Sequence, residues 1–157
     1  RSKKYKNIGG MYLMKKLVQL LNQEVANLGV LYTKLHHFHW FVEGRQFHQL
    51  HEFFENLYDE VTEHFDAVAE RILMLEEAPV STLKGFLELA TVKEVITVGI
   101  AEEMLKETLS DLQLLDTEFT TALEAAQELA DEVTVDLLLG MKASFQKTIW
   151  MIKATLK

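Results

Sequence analysis

Pro79 is the only proline in 157 residues, and on both sides of it apolar residues recur every three or four positions. Proline fixes φ and removes a backbone donor, so its near absence leaves the chain free to form long unbroken helices. Leu13, Leu17, Leu20, Leu21, Leu28, Leu31, Leu35 and Phe38 fall at helical spacing. They predict a first helix from Met11 to about Val42, where Gly44 offers a stop. Leu50, Phe54, Leu57, Val61, Phe65, Val68 and Ile72 mark a second helix, which ends before Pro79 because proline disfavours helix at Ala78. Ser81 or Thr82 then caps a short helix through Leu83, Phe86 and Leu87, and Thr91-x-x-Glu94 fits a capping box. Leu105, Leu109, Leu112, Leu115, Phe119 and Leu123 form the apolar face of a third long helix over about 99–129. Asp131 or Thr134 starts the fourth, with Leu138, Met141, Phe145, Ile149 and Ile152 inward. No strand alternation competes. The expected fold is all-α: a four-helix bundle with a short helix in the long connection between helices two and three.

The chain divides into residues 1–10, a polar arm closing on Gly9-Gly10 that reads as flexible, and one domain over 11–157. Apolar residues make up 48 %, which argues against disorder and allows a sizeable core. No run of about 18 apolar residues exists, so no membrane span is expected. Lys15, Lys16 and Glu24 interrupt 11–26, so that stretch is no signal-peptide core. The absence of cysteine excludes disulfides and thiolate metal sites and is compatible with a cytoplasmic location. With 24 acidic and 16 basic residues the net charge is −8, so the general surface repels nucleic acid and attracts cations. Arg1, Lys3, Lys4 and Lys6 run against that balance and concentrate positive charge in the arm.

All six histidines fall between His36 and His64. None has a glutamate three residues before it, which removes the Glu-x-x-His plan of a di-iron site inside one bundle. His-Glu-x-x-His and Gly-rich phosphate loops are also missing. Asp66 and Glu70, at i and i+4, stack their carboxylates on one helix face. His51 precedes Asp66 by fifteen residues on the same predicted helix, roughly 22 Å along its axis. A metal needs its ligand atoms within about 2–2.5 Å. If the histidines and carboxylates cooperate, they must therefore come from different subunits. Asp59 and Glu63 read as an ordinary solvated face, and His36, His37, His48 and His64 as bystanders.

The segment L-H-H-F-H-W-F-V-E-G-R-Q-F-H-Q-L-H-E-F-F-E-N-L-Y-D-E, with D-A-V-A-E-R-I-L after it, resembles the Dps family of twelve-subunit, ferritin-like proteins. Its markers are His39-Trp40, Gly44, Phe47, His51-Glu52 and D-x-x-A-E-R from Asp66 to Arg71; S-T-L-K-G-F-L at 81–87 and I-W-M-I-K at 149–153 add to them. The resemblance covers nearly all of the chain after residue 20. It implies that His39 and His51 bind iron together with Asp66 and Glu70 of a two-fold partner, with zinc as a competitor for the same donors. Trp40 reads as a structural aromatic near that site. The implied reaction is oxidation of Fe(II) by hydrogen peroxide in preference to dioxygen, with Fe(III) stored as mineral in a homododecameric shell. Glu52 and Glu55 match positions associated with mineral nucleation, and Asn56 stands where a further acid can occur. Glu132 and Asp136 match acids lining iron-entry pores, with Gln127 in place of another acid and Asp131 an alternative helix cap. The resemblance also implies protection of DNA from oxidative damage. The alternative function is a nucleoid-associated protein that binds DNA through Arg1, Lys3, Lys4 and Lys6.

Overall fold

The computed structural model describes residues 8–96 and 99–157. Among these the chain forms α1 (Ile8–Phe41), α2 (Phe47–Met74), α3 (Leu83–Leu89), α4 (Ala101–Glu128) and α5 (Glu132–Thr155), and no strand. α1 packs against α2, α4 and the short α3, and α5 packs against α4. The expected apolar stripes face inward. Leu17, Leu21, Leu28, Leu31 and Leu35 of α1 are fully buried, as are Phe54, Val61, Val68 and Ile72 of α2 and Leu112, Leu115 and Phe119 of α4. Phe119 meets Phe145 of α5 edge to face at 5.2 Å between ring centroids.

The helix ends have local causes. Gly44, at φ 104, occupies the left-handed region after α1 that glycine enters without steric cost. α2 stops five residues before Pro79, where Glu76 adopts φ 63 and Glu77 N–H donates back to the Ile72 carbonyl at 3.1 Å. Thr82, not Ser81, caps α3: its Oγ1 accepts from Gly85 N–H at 3.0 Å. Asp131, not Thr134, caps α5 by accepting from Thr134 N–H at 3.1 Å.

Two sequence expectations need correction. α1 begins at Ile8, so Gly9 and Gly10 lie in its first turn rather than in an arm. Thr91-x-x-Glu94 opens no helix, because Thr91 N–H is bound by the Asn27 side chain at 2.7 Å and α4 starts only at Ala101. Glu103 closes that start by accepting from Ile100 N–H at 3.3 Å.

Candidate metal centre

His39 lies in the last turn of α1 and His51 in the second turn of α2. The short connection through Gly44 folds the chain back so that the two imidazoles stack, with centroids 3.7 Å apart and planes at 16°. Each ring is held by the other residue's backbone. His39 Nδ1–H donates to the His51 carbonyl at 2.7 Å, and His51 Nδ1–H donates to the His39 carbonyl at 2.8 Å. A carbonyl only accepts, so Nδ1 carries a proton in each ring, and in the neutral imidazole the lone pair lies on Nε2. That is the state a metal requires of a histidine binding through Nε2. The His39 carbonyl also belongs to the last turn of α1, whose carbonyls have no N–H partner within the helix. Phe47 stacks on His51 at 5.0 Å, and Tyr58 meets His39 edge-on at 5.3 Å, fixing the pair from both sides.

Asp66 and Glu70 are exposed on α2. A hydrogen bond donated to Asp66, and then the charge of Asp66, hold the Glu70 carboxyl above its ordinary value. The two carboxyls act as a pair. The histidine pair and the carboxyl pair do not meet within the chain: among the described residues no three histidine, aspartate or glutamate side chains gather closely enough to hold a metal.

A family model for a ferritin-like domain matches residues 18–157. The DNA protection during starvation protein 2 of Bacillus anthracis is 43 % identical over 142 residues, covering 90 % of this chain and 97 % of that protein. The chain belongs to the Dps family. A crystal structure of a Dps protein from Bacillus brevis superposes with a TM-score of 0.91 at 41 % identity, over 93 % of this chain and 98 % of that one. A Dps from Listeria innocua soaked with zinc superposes with a TM-score of 0.87 at 41 % identity, over 89 % of this chain and 95 % of that one.

The remaining candidates scatter over this Dps fold. Glu52, Glu55 and Asn56 are exposed on α2, and Glu132 and Asp136 are exposed at the start of α5. Arg71, which closes the D-x-x-A-E-R motif, fastens that start to α2. Its Nε donates to Thr134 Oγ1 at 2.8 Å and its Nη2 to Asp131 Oδ1 at 2.9 Å. Trp40 is not a core aromatic; it is 67 % exposed and lies edge-on to His36. His36 stacks on Tyr58 and its Nδ1–H donates to the Tyr32 carbonyl, while His64 pairs with Glu60. His37 lies against Phe41, and His48 is exposed. Arg1, Lys3, Lys4 and Lys6 lie outside the described residues.

Sequence reasoning missed two buried polar clusters, both on the inner face of α1. Asn27 is fully buried; its Oδ1 accepts from Thr91 N–H (2.7 Å) and Val92 N–H (3.0 Å), and its Nδ2 donates to Glu118 Oε2 (2.7 Å). Glu24 joins it, with 1 % of its surface exposed. Seven residues after Asn27, the buried Lys34 ammonium donates to the Lys93 carbonyl at 2.9 Å and pairs with Glu107 and Asp111, each at 2.7 Å. No apolar gap announced them: Leu21, Val25 and Leu28 carry the buried stripe of α1 past Glu24 and Asn27 without a break.

Proposed function

We propose that this chain assembles into a homododecameric shell that oxidises Fe(II) with hydrogen peroxide and stores the Fe(III) as mineral. His39 and His51 bind the iron together with the partner's Asp66 and Glu70. One observation carries this reading: the reciprocal Nδ1–carbonyl bonds leave Nε2 of two stacked imidazoles to bind a metal, and among the described residues no third ligand of the same chain joins them. Imidazole with carboxylate suits Fe(II), and zinc competes for the same donors. Each peroxide takes one electron from each of two ferrous ions, its O–O bond breaks, and two protons complete two waters. The protein's part is to hold the ions in place.

An apolar groove of about 440 Å³ supports the two-subunit reading. It runs between α1 and α3, and Trp40, Phe41, Leu83, Phe86 and Leu87 line it. Leu83 is 79 % exposed. Such an apolar surface fits contact with a second subunit. Glu132 and Asp136, repeated by symmetry around a pore, would gather cations at an entrance, and Glu52 and Glu55 would start the mineral inside.

His39→Ala or Asp66→Ala is expected to slow peroxide-driven Fe(II) oxidation by more than the roughly 10–100-fold that loss of an outer-shell partner costs, while the assembly keeps its mass. Wild-type rates in either variant would sink the site. The relatives' names speak of DNA protection, which removal of iron and peroxide supplies without contact with DNA. The second reading is direct DNA binding through Arg1, Lys3, Lys4 and Lys6. It predicts a low-salt gel shift that disappears when residues 1–10 are deleted.

A further inference from the structure

The connection between α3 and α4 is fastened to α1 by side chains rather than by secondary structure. Asn27 binds the N–H groups of Thr91 and Val92, Lys34 binds the Lys93 carbonyl, and the Val92 side chain is buried among the helices. The hold of Asn27 depends on two carboxyl groups. Glu118 of α4 accepts from Asn27 Nδ2 at 2.7 Å through one oxygen and from Thr91 Oγ1–H at 2.7 Å through the other. Glu24 of α1 accepts from the same Asn27 Nδ2 at 3.3 Å, so the two carboxyls converge on one amide nitrogen, close enough to hydrogen-bond to each other. Two carboxyls bonded to each other require a proton between them.

We propose that the proton shared by Glu24 and Glu118 is a latch on the crossover: when it is lost in alkali, residues 90–96 leave α1 and the groove between α1 and α3 opens. Glu118 is the charged group facing Glu24 from α4. The connection presents the Thr91 hydroxyl, α1 presents the Asn27 amide, and no cation among the described residues pairs with either carboxyl. Lys34, the buried ammonium of α1, is already committed to Glu107, Asp111 and the Lys93 carbonyl. Deprotonation would therefore place two uncompensated negative charges side by side, one of them on Glu24, which has almost no access to water. Burial first, and then Glu118, push the Glu24 carboxyl up to about 9, so the latch is closed at neutral pH and opens above that value. The crossover also carries Glu94 and Val95 into the groove lining, so its release changes the surface that a second subunit would meet.

Amide hydrogen exchange on the assembled protein, with rates corrected for the intrinsic effect of pH, tests the latch. Between about pH 7 and about pH 10 the protection of Thr91 and Val92 should fall at least about tenfold, while the amides in the middle of α5 keep theirs. In Glu24→Gln, which keeps a neutral hydrogen-bonding group in place, the protection of Thr91 and Val92 should stay flat over the same range. Unchanged protection in the wild type would overturn the proposal, and so would an equal fall in Glu24→Gln. The wild-type comparison stands even if that variant does not fold: loss of protection in α5 in step with the crossover would mean general alkaline unfolding and would also overturn it.

Discussion

Asn27, itself fully buried, accepts from the Thr91 and Val92 N–H groups of the crossover through Oδ1 and donates to the Thr91 hydroxyl through Nδ2. Leucine has nearly the same shape but would leave the Thr91 and Val92 N–H groups buried and unpaired. Asn27→Leu is therefore expected to cost about 2–5 kcal/mol, visible as a lower urea midpoint with an unchanged slope. Asp131 offers a test with a pH signature. Burial alone would raise its carboxyl, but hydrogen bonds from Thr134 and Arg71 outweigh burial and hold it below the usual range. A depressed value in the folded state means that the carboxylate adds stability at neutral pH, and that this contribution fades as pH falls through the folded-state value. Asp131→Ala should thus destabilise by about 1–2 kcal/mol at neutral pH and converge with the wild type in strong acid; paired unfolding curves at the two pH values check this. Little of this was legible in the sequence. His39 and His51 stand out by residue type, but which nitrogen carries the proton depends on carbonyls that only the folded turn brings close. Asn27 finds Thr91 and Glu118 from 64 and 91 positions away, beyond any local pattern.

At the scale of the elements, the four long helices were readable because each buries one stripe, and a stripe leaves its period in the sequence. The ends were less so. Gly44 and Asp131 act through local chemistry and were found, whereas Thr91 and Glu94 imitate a cap at a place where tertiary hydrogen bonds hold the chain extended. The seat of α3 depends on a close approach that no periodicity reveals. A Cβ at Gly29 of α1 would come within 3.1 Å of the Phe86 ring of α3 and 3.4 Å of Phe65 of α2. Gly29→Leu should force α3 outward and cost about 1–3 kcal/mol. Faster hydrogen exchange through residues 83–89, with α5 unaffected, would confirm the local origin; unchanged exchange there would contradict it.

At the scale of the molecule, the candidate site is legible only in part because one chain holds its halves apart. Its residue types come from the sequence, and their union needs a symmetry that no single chain contains. Mixing broken subunits tests that union. In a dimer of a His39→Ala chain with an Asp66→Ala chain, one site collects both lesions and the other is wholly intact. Random co-assembly should recover about a quarter of the wild-type sites, although each variant alone is nearly inactive. No recovery in mixed shells would contradict a shared site. The separation of roughly 22 Å along α2 also sets the unit of damage. On the proposed two-subunit site, a chain whose His39 is destroyed by its own oxidant would still lend Asp66 and Glu70 to its neighbour's intact histidines. Injury would thereby be confined to single sites, and a twelve-subunit shell of the proposed kind would age by twelfths rather than fail as a whole.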